Sequence, residues 1–230
     1  MNQRVVSRDE WLKARIELLN AEKEFSRARD ALSAQRRELP SVEVPNYTFD
    51  GADGAVSLAD LFDGRSQLIV YHFMFDPEWD AGCKSCSFVT DHFQNALVHL
   101  AHRDVTLVAV SRAPLDKLDA YAARMGWSHR WVSSLGGSFN YDFGVSFTPQ
   151  QIEAAAPYNY GTGTGWGEAP GLSVFLRDGD RILHTYSTYS RGLDLLINTY
   201  NYLDLVPRGR NYDGDDQYMG WLRRRDEYGD

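Results

Sequence analysis

The sequence predicts an α/β domain built on a central sheet, and three observations support this. Apolar runs at 68–75 and 105–110 have the composition of buried strands, and each precedes a helix-like segment, an alternation that favours parallel strands. A hairpin is predicted at 172–186. The only two cysteines, Cys83 and Cys86, stand between the first strand and the helix that follows it.

Composition and charge exclude some classes of partner. The chain has 230 residues, 43% of them hydrophobic, which is enough for one sizeable core with appendages. A net charge of -8 opposes binding to nucleic acid or anionic membranes. The basic runs 36–37 and 223–225 have acidic neighbours, so we expect solvated surface charge there. Without an apolar membrane span or a signal-peptide core, a cytoplasmic location is expected.

A long helix is predicted near the N-terminus. Ser7 and Glu10 have the spacing of a capping box, and Pro40 ends the pattern. Large apolar residues recur every seventh position, with alanines between them: Trp11, Leu18, Phe25, Leu32 and Leu39, then Ala14, Ala21 and Ala28. This pattern suits close helix–helix packing. The helix either lies on its own domain or forms a homodimer through residues 7–39.

Three parts are predicted along the chain. A helical arm at 1–40 precedes an α/β domain at 41–205, and a tail at 206–230 is expected to lack regular structure. Within the domain, an insertion at 149–168 is rich in glycine and aromatic residues. It lacks the lysine of a phosphate loop, so a flexible loop near the cysteines is expected.

Four smaller elements complete the predicted domain. A short hairpin is expected at 47–58. Helices are predicted at 87–102, directly after the cysteines, at 114–125, where Gly126 ends the helix, and at 193–203, which has one apolar face.

The spacing of Cys83 and Cys86 indicates redox chemistry. Two thiols this close can form a disulfide, and a helix that begins at the first one stabilises a thiolate there. In a reducing compartment such a pair is more often catalytic or metal-binding than structural. We expect Cys83 to attack a substrate disulfide and Cys86 to resolve the mixed disulfide. Lys84 can favour the thiolate by its charge, and Trp79 is a candidate lid or substrate platform.

Other interpretations of the pair stay open. Two thiolates with histidines could bind Zn or Cu(I). However, His99 and His102 lie several turns beyond Cys86 on the predicted helix, and His72 fits a core position better. No metal ligand is assigned, and no cofactor is predicted. A redox-inert module that binds a partner through its N-terminal helix and insertion is a further alternative.

Four segments resemble one known family: YHFMFDPEWDAGCKSCSF, LVAVSRAPLDKLDAYAARMGW, FNYDFGVSF and PGLSVFLRDGDRILHTYSTYSRGLD. Over about 7–205 and 226–228, the chain is identified as a member of the thioredoxin-like bacterial family "domain of unknown function 899". The resemblance implies a thioredoxin-like fold, a central mixed sheet flanked by helices, with a long N-terminal helix and an irregular C-terminal tail. It also implies dithiol–disulfide oxidoreductase activity on a disulfide-containing protein or a small thiol substrate.

The resemblance assigns a role to Pro170. In thioredoxin-like proteins a cis-proline stands just before the first hairpin strand and faces the cysteines, where it shapes a groove for the substrate backbone. The Trp-Cys-Gly-Pro-Cys loop of thioredoxin is absent, since Gly82 precedes the pair and 84–85 differ. Peroxiredoxins resemble the chain at 110–112, but their Pro-Thr-Cys motif does not fit. A peroxidase is therefore kept only as an alternative.

Overall fold

The computed structural model describes residues 3–210 and 219–229. The chain divides into two compact units, Met1–Pro40 and Ser41–Asp230. Part of the predicted C-terminal tail, 211–218, lies outside the described residues.

The first unit consists of one helix, α1, at Arg8–Arg37. Its predicted capping box is confirmed. The Glu10 N–H donates to the Ser7 hydroxyl oxygen at 3.3 Å, and Glu10 Oε2 accepts the Ser7 N–H at 3.1 Å. The helix ends slightly earlier than predicted, and two arginines in its last turn complement the helix dipole. No residue of α1 is buried, so the apolar residues that recur at every seventh position are exposed.

The second unit contains all ten strands of the described chain: β1 (Val42–Glu43), β2 (Thr48–Gly51), β3 (Gly54–Ser57), β4 (Gln67–His72), β5 (Val105–Ser111), β6 (Trp131–Ser133), β7 (Pro157–Tyr158), β8 (Gly163–Thr164), β9 (Gly171–Asp178) and β10 (Arg181–Tyr189). Eight of them form one sheet in the order β1-β10-β9-β4-β5-β6-β2-β3, and β7 pairs with β8. Both predicted hairpins, β2–β3 and β9–β10, are present.

The centre of the sheet defines the fold. Strand β4 runs parallel to β5 and antiparallel to β9. A βαβ unit followed by a hairpin, in the order β10-β9-β4-β5, is the thioredoxin-like arrangement. The predicted fold class is therefore confirmed.

Seven further helices belong to the described part of this unit: α2 (Leu58–Leu61), α3 (Lys84–Thr90), α4 (Leu97–Ala101), α5 (Leu115–Met125), α6 (Phe139–Asp142), α7 (Pro149–Glu153) and α8 (Asn198–Leu203). Short 3₁₀ segments occur at Asn159–Gly161, Ser190–Leu196 and Arg225–Glu227. Helix α5 ends as predicted at Gly126, which adopts the left-handed conformation at φ 63°. None of the described helices is long and apolar enough to span a membrane.

Two predicted helices are interrupted. The segment 87–102 holds α3 and α4 with turns between them. There the His92 ring lies 2.7 Å from the Phe88 carbonyl through Nδ1 and 2.9 Å from the Thr199 hydroxyl through Nε2. This side chain competes for a helix carbonyl and draws the chain toward α8. The segment 193–203 changes from a 3₁₀ turn to α8 at Ile197, whose backbone is not helical.

The insertion at 149–168, predicted as a flexible loop, contains short regular elements. Helix α7 begins with a capping box in which Thr148 and Gln151 bond each other's main chain. The chain then folds back through β7 and β8, and the Gly165 N–H donates to the Ala156 carbonyl at 2.9 Å. Local capping and a short hairpin supply backbone partners that composition did not indicate.

Side chains on β4 alternate between two hydrophobic clusters. Val70 packs in one cluster with Phe175, whereas Tyr71 packs in the other with Cys86. His72 points away from the cysteines, is 1% exposed, and bonds the Ser173 hydroxyl through Nε2 at 2.8 Å. This agrees with the predicted core position of His72.

We propose that α1 pairs in parallel with α1 of a second copy. With Trp11 at heptad position a, glutamates occupy most g positions and arginines most e positions: Glu10, Glu17, Glu24 and Glu38 at g, Arg15, Arg29 and Arg36 at e. In a parallel pair, each g residue faces the e residue of the following heptad on the partner helix. Glu24 then faces Arg29, and Glu17 is the one glutamate that faces an acidic residue, Glu22. An antiparallel pair would set glutamate against glutamate.

The exposed ring of Phe25 is one of these recurring apolar side chains and tests the dimer. Phe25→Glu places a charge at position a and is expected to convert a dimer to a monomer in sedimentation equilibrium. Lys23→Glu, at the outward f position, is expected to keep the dimer. A wild-type monomer, or a dimer that survives Phe25→Glu, would contradict the proposal.

Candidate active site

Both cysteines are held by the main chain of Met74, just beyond the end of β4. The Cys83 N–H donates to the Met74 carbonyl at 3.1 Å, and the Met74 N–H donates to Cys86 Sγ at 3.4 Å. Cys83 is the N-cap of α3, and Cys86 lies in its first turn. Both are free thiols.

The two thiols differ in their ionisation. Hydrogen bonding from the Cys86 thiol lowers the pKa of Cys83 to about 6 against the effect of burial, and the backbone N–H groups of Cys86 and Ser85 add to the lowering. Burial raises the pKa of Cys86 well above its ordinary value. At neutral pH the pair therefore holds one thiolate, at Cys83, and one thiol, at Cys86.

A cavity of about 340 Å³ adjoins both thiols. Pro170 lines it, as do Tyr158 and Trp166 of the insertion. Leu193 and Ile197, which follow β10, line it as well. The insertion thus lies beside the dithiol, in agreement with the predicted position of this segment near the cysteines.

Not all of the predicted site residues meet at this cavity. The structure brings Cys83, Cys86 and Pro170 together there. Lys84 is the first residue of α3 but does not line the cavity, and hydrogen bonds rather than its charge are the main causes of the lowered Cys83 pKa. Trp79 is also outside the lining, in a turn where its carbonyl accepts the Lys117 ammonium at 3.2 Å.

The peptide bond before Pro170 is trans, unlike the cis bond that the resemblance implied; every described peptide bond is trans. Both sides of this bond are tied to the interior. The Ala169 N–H donates to the Val145 carbonyl at 2.8 Å, and the Tyr158 hydroxyl donates to the Pro170 carbonyl at 2.6 Å. Trans is also the ordinary preference of such bonds.

Arg224 holds the main chain directly before Cys83. Its Nη2 donates to the Gly82 carbonyl at 2.8 Å, and its Nε donates to the Tyr121 hydroxyl at 2.9 Å. The prediction of solvated charge at 223–225 is therefore wrong for Arg224, because these acceptors lie within reach of its long side chain. Gly82 has no room for a side chain, since a Cβ would lie 2.6 Å from the Phe73 ring.

A buried carboxyl lies just before Pro170. Glu168 is 4% exposed, accepts the Ser146 hydroxyl at 2.8 Å, and lies 2.8 Å from Arg112 Nε. The Arg112 Nε–H group makes no aligned hydrogen bond, although it is close to Glu168. Arg112 Nη2 also lies 3.1 Å from Asp76 Oδ2. Burial raises the pKa of Glu168 to about 7, although Arg112 opposes the shift. Sequence reasoning missed this network, because no local pattern marks its members.

Metal ligands do not converge on the dithiol. Within 3–210 and 219–229, no three His, Cys, Asp or Glu side chains are arranged to hold a metal ion. The metal-binding alternative thus gains no support from the side chains around Cys83 and Cys86.

A family model described as "Bacterial protein of unknown function (DUF899)" matches residues 1–228. The chain belongs to this family. The DUF899 family named from the sequence resemblance is thereby confirmed. Among curated proteins, no sequence matches the chain.

Several solved structures are similar to this DUF899 member. Peroxidoxin BcpB from Mycobacterium tuberculosis is 14% identical, with a TM-score of 0.48 over 70% of this chain and 95% of that one. A peroxiredoxin Q from Xanthomonas campestris is 14% identical, with a TM-score of 0.46 over 67% and 90%. A secreted M. tuberculosis disulfide oxidoreductase, described as homologous to E. coli DsbE, is 14% identical, with a TM-score of 0.39 over 66% and 92%. These TM-scores lie below 0.5, so the fold assignment rests on the strand order.

The pH dependence of alkylation tests the thiolate at Cys83. With iodoacetamide, the reaction of wild type should show a midpoint near pH 6. Cys86→Ala removes the largest cause of that lowering and is expected to move the midpoint up, toward the ordinary value of about 8.5. Lys84→Gln is the comparison and should move it far less. Equal midpoints for wild type and Cys86→Ala would contradict this account.

Unfolding at several pH values tests Glu168. Its folded pKa is about 7 and its ordinary value 4.5, so between these values the folded state holds a proton that the unfolded chain has lost. This group therefore makes the free energy of unfolding fall as pH rises, by up to about 1.4 kcal/mol per unit. Glu168→Gln should remove that slope in urea titrations, whereas the exposed Glu153→Gln should keep it. An unchanged slope in Glu168→Gln would refute the assignment.

Proposed function

We propose that the protein is a dithiol–disulfide oxidoreductase, with Cys83 as nucleophile and Cys86 as resolving thiol. The observation that carries this proposal is the placement of the pair: Cys83 caps α3, Cys86 lies in its first turn, and both bond the main chain of Met74. The opposite directions of their pKa shifts agree with this placement. Stepwise exchange needs one thiol that ionises readily and a second that stays protonated until it is used. Cys83, with a pKa of about 6, suits the first role, and Cys86, which is 1% exposed, suits the second. We also propose a cytoplasmic location, as predicted from the sequence.

The reaction proceeds in two exchanges. The Cys83 thiolate attacks one sulfur of a substrate R–S–S–R′, which forms the Cys83–S–S–R mixed disulfide and releases R′S⁻. Cys86 then attacks Cys83 Sγ, which forms the Cys83–Cys86 disulfide and releases the second thiol as RSH, carrying the proton of Cys86. The substrate is reduced by two electrons and the protein is oxidised by two. An external dithiol, such as dithiothreitol, restores the reduced pair by the reverse exchanges.

The second exchange needs Cys86 as a nucleophile despite its burial. The Met74 N–H, 3.4 Å from Cys86 Sγ, stabilises negative charge on that sulfur. The Tyr71 side chain also interacts with Cys86, and its hydroxyl is fully buried. Both groups favour transient ionisation of Cys86 once Cys83 is in the mixed disulfide and its negative charge is gone.

Insulin reduction with dithiothreitol tests the activity. Wild type is expected to accelerate precipitation of the insulin B chain, and Cys83→Ser should fall to the rate without protein, because a hydroxyl does not form the nucleophile. Cys86→Ser keeps the nucleophile but not the resolving thiol, so it should accumulate a mixed disulfide visible by mass spectrometry. Equal rates for wild type and Cys83→Ser, with insulin and with a small disulfide such as bis(2-hydroxyethyl) disulfide alike, would remove the proposal and favour the redox-inert alternative.

A further inference from the structure

The cavity at the dithiol has the dimensions of a small-molecule site. Its volume of about 340 Å³ is at the lower end of the range of about 300 to 1,000 Å³ for such sites. Leu193, Ile197 and Val89 give it apolar walls, and Trp166, about half exposed, lies where the walls meet solvent.

Hydrogen bonds and ring packing hold the insertion next to the cysteines. The Tyr158 hydroxyl donates to the Pro170 carbonyl at 2.6 Å and accepts the Ser190 N–H at 3.1 Å, which ties β7 to both neighbouring loops. The Trp166 ring packs edge-on against Tyr158, with centroids 5.1 Å apart. These contacts fix one wall of the cavity.

The main chain around Pro170 is poorly suited to bind a peptide. Extended peptides gain affinity by pairing with free main-chain groups of a strand edge. Here the Ala169 N–H and the Pro170 carbonyl both have partners inside the protein, Val145 and Tyr158. Two hydrogen-bonding groups of the groove that the resemblance implied are therefore already engaged within the protein.

Charged groups at the cavity are likewise paired within the protein. Asp194 Oδ2 lies 3.0 Å from Arg191 Nη2 and 3.0 Å from Arg210 Nη1. The polar exception is the Tyr71 hydroxyl, which is buried without an oxygen or nitrogen partner among the described residues and interacts with Cys86. The cavity thus combines apolar walls with a few polar groups near the sulfurs, among them the Tyr71 hydroxyl and the side chains of Ser85 and Ser190.

We infer that the substrate disulfide is a small molecule with hydrocarbon groups, which enters this cavity and presents its S–S bond to Cys83. The inference rests on the proposed function and names its substrate class. The S–S bond and the departing thiolate lie at the Tyr71 end, and the hydrocarbon groups are removed from water by the apolar walls. The exchange is the one given above, with R and R′ as alkyl or aryl groups.

Two disulfides of equal size provide the test. Dipropyl disulfide and bis(2-hydroxyethyl) disulfide differ only in a methyl group or a hydroxyl at each end. Each is reacted with the reduced protein, and its rate constant is divided by that of the same disulfide with dithiothreitol, which removes differences in intrinsic reactivity. The normalised rate should be at least about tenfold higher for dipropyl disulfide, and insulin should not exceed either small disulfide.

Substitution of a wall residue locates the preference. Trp166→Ala is expected to lower the normalised rate with dipropyl disulfide about fivefold and to lower the rate with bis(2-hydroxyethyl) disulfide much less. Tyr202→Ala, an exposed aromatic residue outside the lining, should leave both rates unchanged. Dipropyl sulfide, which cannot exchange, should slow the alkylation of Cys83 in wild type, a readout that does not depend on the folding of a variant.

The outcomes separate the two proposals. Equal normalised rates, a preference for the hydroxyl compound or for insulin, or no protection by dipropyl sulfide would overturn the apolar substrate while the oxidoreductase stands. An unaltered preference in folded Trp166→Ala would also overturn the site. If none of the disulfides oxidises the pair, the proposed function itself is wrong.

Discussion

The main chain of Met74 is the constraint on which the site depends. Its carbonyl accepts the Cys83 N–H and its N–H donates to Cys86 Sγ, so one peptide segment sets the position of both sulfurs. Met74 follows β4, which lies between β5 and β9 in the interior of the sheet. A strand hydrogen-bonded on both sides has little freedom to shift, and the dithiol inherits that rigidity.

From this placement the chemistry of the two sulfurs diverges. Cys86 lies in the hydrophobic cluster on the Tyr71 face of the sheet, where its ionised form is disfavoured. Its retained proton is what allows it to donate to Cys83 and stabilise the thiolate there. A single difference in burial therefore produces both a nucleophile and a proton carrier from the same residue type.

Local patterns predicted much of this architecture, and long-range contacts account for what they missed. The capping box at Ser7, the left-handed end at Gly126 and the apolar strands depend on neighbours in sequence, so their residues were sufficient evidence. Near the helix break, His92 bonds the Thr199 hydroxyl, and the buried Glu168 pairs with Arg112. In such cases the partner residue is distant in sequence, and hydrophobic periodicity does not reveal it.

The contact between Arg224 and Gly82 joins residues 142 positions apart. A ribosome makes the chain from its N-terminus, so β4 and α3 are synthesised on the order of ten seconds before Arg224. During that interval the cysteines exist while the loop before them lacks a hydrogen-bond donor that holds it in the finished protein. A nascent chain thus carries both thiols without the Arg224 contact until the last residues have been added.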